Sequence, residues 1–369
     1  MELRCEQNLL LKAVTAVERA VAQRDVKPIL TGILLEARNG ELYLAASDLE
    51  MRIEGTIPVE TIQEGQAVVE GKYFAPIVRK LPGGDVFLRY DEGNNSVSLR
   101  AGRAHFSLPT IAGEAFPPAP VMEEGSFSCS IAEELFKGML RQTVFAAAPP
   151  DEIRPFLKGI YLAGREGELH MVATDSSRLA IRKKDALSLG EFKALVPARS
   201  MQELARLLPG EEEGELRVQL GSNQILFHVG GFKFYSRLIE SEFPDYLRVI
   251  PQGEPTCKVI CSRSQLEEAI DRVSLLVRSG PALIDFKIEE GVLGLSLRSS
   301  TAGAAWEELD VTQEGDGLQI CLQARYLLEG LRVAEGEEVT MAFYGDNGPM
   351  VFTPREGTDF TYLVMPVRT

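Results

Sequence analysis

Gly40-Glu41-Leu42-Tyr43-Leu44-Ala45-Ala46-Ser47-Asp48 returns 127 residues later as Gly167-Glu168-Leu169-His170-Met171-Val172-Ala173-Thr174-Asp175. In each stretch a glycine opens an apolar, strand-like run that stops, eight residues on, at an aspartate. The same offset carries Leu81-Pro82-Gly83 onto Leu208-Pro209-Gly210, and Phe116-Pro117 onto Phe243-Pro244. A more diverged third copy runs from Gly291-Val292-Leu293 to Ser299, again eight residues from its glycine. Solenoid units repeat every ~20–50 residues, so a period this long is a whole domain. In a chain of 369 residues it selects three, at 1–123, 124–250 and 251–369. Three equivalent domains suggest a shape assembled from equivalent surfaces rather than one catalytic cleft.

Each copy opens with an amphipathic helix pattern. Its apolar positions are Leu10, Ala13, Val14 and Val17 in the first copy, and Leu135, Phe136, Met139 and Leu140 in the second. In the third they are Leu266, Ala269, Ile270 and Val273. Strands follow, then a second helix at Lys72 to Leu81, Arg199 to Leu208 and Arg325 to Val333. Glycine-containing turns at Gly83, Gly210 and Gly336 close these helices. A β-meander ends the copy, most clearly Leu216–Leu220, Gln224–Val229 and Phe232–Leu238, joined at Gly221-Ser222-Asn223 and Gly230-Gly231. The expected class is α+β, with two helices on an antiparallel sheet in each domain. The Pro-rich stretches from Phe116 to Pro120 and from Phe243 to Pro251 fit the domain junctions.

Hydrophobic residues are 45% and charged residues 25% of the chain, an ordinary globular balance. No run approaches the ~18–20 apolar residues of a membrane helix. Met1-Glu2-Leu3-Arg4-Cys5 lacks the basic-then-apolar order of a secretory signal, so a cytoplasmic location and no membrane contact are expected. Five scattered cysteines read as reduced small hydrophobes. His105, His170 and His228 are too dispersed to announce a metal site, so neither metal nor cofactor is expected.

The net charge of −15 argues against a nucleic-acid partner unless the cations share one surface. Aligning the second helices shows that they do. Lys72, Arg199 and Arg325 occupy one equivalent position, and Arg79, Arg206 and Arg332 another, seven residues on and so on the same helix face. Counting Lys80 and the acids Glu203 and Glu329, these helices carry +5. Lys12, Lys137, Arg141 and Arg272 add cations on the first helices. Nothing beside them could read bases, so the expected contact is with a polyanion backbone, indifferent to sequence. If two helices per domain line a ring ~10 Å apart, one chain leaves a hole of about 9 Å and two chains one of about 28 Å. A duplex is roughly 20 Å wide, so two chains can encircle it and one cannot. A head-to-tail pair is the simplest closed ring.

Two other classes compete. An enzyme would have to use Asp48 or Asp175, yet no activating base follows at a useful spacing, and the third copy has Ser299 there. A non-DNA interaction scaffold explains the repeats but leaves the aligned cations without a purpose.

The chain resembles, over its full length, the bacterial sliding clamp, the beta subunit of DNA polymerase III. The resemblance is carried by Lys27-Pro28-Ile29-Leu30, Ser47-Asp48-Leu49-Glu50-Met51, Ala173-Thr174-Asp175 with Arg178-Leu179-Ala180, Phe243-Pro244-Asp245-Tyr246, and Tyr362-Leu363-Val364-Met365-Pro366-Val367-Arg368. It implies a homodimeric ring, each chain half of it, that encircles double-stranded DNA without sequence specificity. It also implies a non-enzymatic processivity factor that a clamp loader opens. Such a ring tethers the replicative DNA polymerase and other replication and repair proteins through short linear motifs.

The partner-peptide pocket implied by the resemblance involves Arg154, Phe156, Leu157, Thr174, Ser176, Ser177, Arg178, Leu179, Pro244, Arg248, Val249, Leu363, Met365, Pro366 and Val367. The implied dimer contact sets Arg103, Phe106 and Leu108 against Leu275, Leu276, Glu307 and Glu308. Arg24 matches a loop position that touches DNA. Three departures stand out: Ser176-Ser177 where the family has a small residue and a histidine, Pro155 in place of an aromatic, and Thr369 at the chain end.

Overall fold

The computed structural model describes residues 1–23, 27–123, 127–186, 189–209, 214–357 and 359–367. Among them are six α-helices: α1 (Gln7–Val17), α2 (Gly71–Lys80), α3 (Glu133–Thr143), α4 (Ala198–Leu207), α5 (Arg263–Ser274) and α6 (Ala324–Val333). All fall where the apolar periodicity places them. Leu10, Ala13, Val14 and Val17 of α1 are buried, as are Leu266, Ala269, Ile270 and Val273 of α5. Ser262 caps α5, its hydroxyl accepting from the Gln265 amide at 3.4 Å.

The chain packs as two compact units that do not coincide with the three repeats. One comprises Met1–Phe136 with Gln202–Leu238, the other Lys137–Met201 with Ile239–Thr369. Strand pairing explains the difference. The first unit holds an eight-stranded antiparallel sheet in the order Phe127–Ala132, Glu215–Leu220, Gln224–Val229, Phe232–Arg237, Met51–Pro58, Glu41–Ser47, Gly32–Arg38, Gly65–Glu70. Four of its strands come from the second repeat and four from the first. They join where Phe232–Arg237 pairs with Met51–Pro58, with Phe232 opposite Gly55 and Tyr235 opposite Arg52. A five-stranded sheet, Glu60–Gln63, Glu2–Glu6, Asp85–Asp91, Ser96–Ala101, Ala104–Pro109, completes this unit.

The second unit repeats the design. Its nine-stranded sheet joins the second repeat to the third where Arg178–Asp185 pairs with Phe360–Val364, Leu179 lying opposite Leu363. Its other sheet runs Gly303–Asp310, Val292–Ser299, Leu283–Glu289, Leu318–Gln323. The α+β class holds with one addition. The α1–α2 pair packs against strands of both sheets of the first unit, and α5–α6 against strands of both sheets of the second. Periodicity reveals that a helix has a buried stripe, not how many sheets meet it.

Two glycines are required at the seams. A Cβ on Gly55 would stand 2.4 Å from the Phe232 ring, and one on Gly330 in α6 would stand 2.6 Å from the Tyr362 ring. The first absent side chain admits Phe232 from the second repeat, and the second admits Tyr362 from the seam strand of the same repeat.

Candidate nucleic-acid and peptide interfaces

The strand-end aspartates are loop braces. Asp48 Oδ1 accepts from the amides of Glu50 and Met51 at 3.0 and 2.8 Å. Asp175 Oδ1 accepts from those of Ser177 and Arg178 at 2.9 and 3.1 Å. Between them Leu49 and Ser176 adopt the left-handed conformation, at φ +74° and +76°, which the paired carboxylates hold in place. In the third copy the Ser299 hydroxyl accepts from the Thr301 and Ala302 amides at 3.4 and 3.2 Å. The positions a catalytic reading would use are occupied by turn geometry.

The aligned cations are exposed, and each of the three at the recurrent second position has a carboxylate partner. Arg79 pairs with Glu18, Arg206 with Glu203 at 2.5 Å and Arg332 with Glu267 at 3.3 Å, the arginines keeping 47%, 60% and 56% of their side-chain surface. Exposed pairs contribute at most about 1 kcal/mol, so exchanging these carboxylates for phosphate oxygens costs little. At the first position Lys72 pairs with Glu70, Arg325 with Glu329 at 2.9 Å, and Arg199 is exposed. Lys12 is exposed, Lys137 half-buried, and Arg141 lies 3.4 Å from Glu335. Arg272 is drawn elsewhere: it bonds Glu268 at 3.2 Å and Glu307 at 2.6 Å, among the residues assigned to the dimer contact. Arg24 lies outside the described residues.

The residues assigned to the peptide pocket all belong to the second unit and sort into a buried set and an exposed set. Leu157, Leu179 and Leu363 are 2–4% exposed. Leu179 and Leu363 share an apolar cluster with Val172, Ile181, Tyr246 and Val351, against which Phe243 and Leu247 pack. Arg178, expected to anchor a peptide, is buried and fully engaged. Its Nε donates to Asp175 at 2.9 Å, its Nη1 pairs with Glu329, and its Nη2 donates to the Phe145 carbonyl at 2.6 Å. The guanidinium lies 5.4 Å from the Phe145 ring and 4.6 Å from that of Tyr326. A charge so deeply buried needs every one of these partners, which leaves it none for a peptide.

Surface remains at Arg154, Ser176, Pro244, Arg248, Val249 and Met365, with Phe156, Thr174, Ser177, Pro366 and Val367 half-buried. Arg154 Nη2 reaches Ser176 Oγ at 3.3 Å, and the Met365 amide donates to the Ser177 carbonyl at 2.8 Å. Val249 and Met365 are 48% and 37% exposed, while Leu179 and Leu363 lie in the buried cluster. Pro155 begins the 3-10 turn Pro155–Lys158, where its missing N–H is not needed.

The residues of the dimer assignment lie in each unit on or just before an edge strand, except Leu275 and Leu276, which follow α5. Phe106 and Leu108 sit on Ala104–Pro109, the end strand of the five-stranded sheet, with exposed Arg103 just before it. Glu307 and Glu308 sit on Gly303–Asp310, the end strand of the four-stranded sheet, and Leu275, 72% exposed, follows α5. Trp306, the sole tryptophan, is 78% exposed on that same edge. Sequence reasoning passed over it, although a lone tryptophan followed by two glutamates was visible.

Three repeated α+β domains and a recurrent pair of helix cations are the features of a clamp of the replication type. The comparisons agree. Family models of the DNA polymerase III beta subunit match along the whole chain: its N-terminal domain at residues 1–120, its central domain at 130–245 and its C-terminal domain at 247–368. The Beta sliding clamp of Staphylococcus aureus is 32% identical over 380 residues, covering all of both chains. The DNA polymerase sliding clamp from Bacillus subtilis superposes with a TM-score of 0.93 at 30% identity, over 100% of this chain and 99% of that one. The DNA polymerase III subunit beta from Pseudomonas aeruginosa does so with a TM-score of 0.92 at 31% identity, over all of both.

The chain belongs to the DNA polymerase III beta subunit family, the bacterial sliding clamps. It is a processivity factor of DNA replication. The scaffold reading without DNA falls away.

Proposed function

We propose that two copies close head to tail into a ring around duplex DNA, working in the cytoplasm and catalysing no reaction themselves. Each chain contributes three clamp domains, at 1–123, 124–250 and 251–369. The observation that carries the proposal is the recurrence of an exposed arginine at one position of α2, α4 and α6, in a chain of net charge −15. Such a lining holds phosphates weakly and slides. The edge Ala104–Pro109 of one copy would add to the edge Gly303–Asp310 of the next, joining sheets across the interface, with Phe106, Leu108, Leu275 and Leu276 at its centre and Arg103 facing Glu307 and Glu308. A clamp loader would open the ring.

Partner proteins, the replicative polymerase among them, would dock a short peptide over Leu179 and Leu363, between Val249, Met365, Arg154 and Arg248. Docking holds the polymerase at high effective concentration near its template. Retention of the loaded protein on a nicked circular duplex, and its loss when the circle is linearised, tests the topology. Equal retention on both substrates would refute encirclement.

A further inference from the structure

His170 lies in the strand Glu168–Thr174 with 3% of its surface exposed. Its ring is held at both nitrogens. Nε2 lies 2.8 Å from Glu168 Oε2, and Nδ1 meets the hydroxyl of Tyr246. A carboxylate can only accept, so Nε2 carries the proton and Nδ1 accepts from the tyrosine O–H. Tyr246 is itself 5% exposed and opens the 3-10 turn Tyr246–Arg248. That turn closes through the Val249 amide on the Tyr246 carbonyl at 3.1 Å. From it project Arg248, 86% exposed along its side chain, and Val249, 48% exposed. Behind it Tyr161 and Phe243 stack at 5.0 Å, and the Tyr246 ring rests 6.0 Å from Tyr161.

The first repeat shows what happens without this latch. By the offset of 127 residues, Tyr43 stands in the place of His170 and Ala119 in that of Tyr246. There the linker leaves a cavity of about 540 Å³ lined by Leu34, Tyr43, Arg52, Phe116 and Ala119 among others. In the second repeat Tyr246 stands at the linker position that Ala119 holds in the first, and its hydroxyl meets His170.

We propose that His170 is a positioning residue for the peptide cleft: its neutral imidazole, by accepting the Tyr246 hydroxyl, fixes the turn that presents Arg248 and Val249 to a partner peptide. This rests on the peptide-cleft reading above. The groups around the ring favour the neutral form. Burial pushes the pKa of His170 below its ordinary value, Lys183 and Arg165 add to that, and Glu168 opposes them. Asp245 and Tyr161 face the Tyr246 side of the pair, and burial pushes the phenol up to about 12, so it remains a donor. As the pH falls through this lowered pKa the imidazole gains a proton on Nδ1, the acceptor is lost, and the tyrosine O–H must leave the bond.

The test is the affinity of a labelled peptide carrying the clamp-binding segment of the replicative polymerase, measured between pH 7.5 and 5.5. His170→Phe and Tyr246→Phe should each weaken binding about ten-fold at pH 7.5 and flatten the pH profile. His170→Asn keeps an acceptor near Nδ1 but cannot be protonated. It should retain most of the affinity at pH 7.5 and lose the fall toward pH 5.5 seen in the native chain. Val249→Asp serves as the control for the cleft. If Val249→Asp loses binding while the Phe variants bind as the native chain does, with the same pH profile, the latch is refuted and the cleft stands. If Val249→Asp binds normally, or the native chain does not bind the peptide, the cleft reading fails and the latch with it.

Discussion

The two seams between repeats use the same strand geometry and opposite chemistry. At the first, Arg52 lies across from Tyr235; at the second, the same register sets Leu179 across from Leu363. Arg52 is buried with its Nε on Glu54 at 2.7 Å, its Nη2 on the Tyr43 hydroxyl at 2.9 Å and its Nη1 on the Pro117 carbonyl at 2.8 Å. The second seam also has a buried arginine, Arg178, but one position earlier in the strand. Successive side chains of a strand point to opposite faces, so that single step moves the charge from the linker face to the helix face. There Arg178 meets Glu329 of α6, while in the first seam Met51 holds the equivalent place and Arg19 reaches Glu203 of α4 at 3.1 Å. Both seams thus tie an arginine to the glutamate at one shared position of the following helix. At the linker-face position the second seam carries Leu179 opposite Leu363, where the first carries Arg52 opposite Tyr235.

Breaking the charge at either seam should have the largest effect. Arg52→Leu leaves Glu54 buried without its main partner, and unfolding of the full chain should show a loss of about 3–5 kcal/mol. Arg178→Met, which copies the first seam, should cost slightly less, about 3 kcal/mol, because Glu329 retains Arg325 at 2.9 Å. The aromatic closures come next. Gly330→Ala should cost about 2–3 kcal/mol, since Tyr362 is 1% exposed and bonded to the Tyr326 carbonyl at 3.0 Å. Gly55→Ala should cost about 1–2 kcal/mol, because Phe232, 6% exposed, has more room to yield.

The double change Arg52→Leu with Glu54→Leu removes both charges together. It should be far milder than Arg52→Leu alone, neutral to within about 1 kcal/mol, and a full additive loss in thermal unfolding would contradict the account of the seam. Smallest of all, Arg79→Ala should change stability by under about 1 kcal/mol. The same change should lower the salt dependence of DNA binding by about one phosphate equivalent if Arg79 touches the duplex.

The helices, the meander and the repeat were legible because each is a local pattern. The fused sheets were not. Met51–Pro58 is buried along five consecutive residues, so the two-residue alternation that would mark a face is lost, and its partner lies about 180 residues away. The carboxylates that meet Arg79 and Arg332, Glu18 in the 3-10 turn after α1 and Glu267 in α5, lie 61 and 65 residues distant, beyond any spacing rule. Arg178 was readable as an arginine in the right motif but not as a buried one, because burial depends on Phe145 and Tyr326 arriving from other parts of the chain. Leu179 and Leu363, quoted from separate motifs, do share one buried apolar cluster.

The eight-stranded sheet has a consequence for synthesis on the ribosome. Its first four strands are complete once Glu70 has been made, but the strand that seals Met51–Pro58 ends at Arg237. At about 5–20 residues per second, that edge waits on the order of ten seconds for its partner. During that interval the nascent chain carries an open row of amides and carbonyls beside Ile53 and Ile57, and shielding by a chaperone would matter most then.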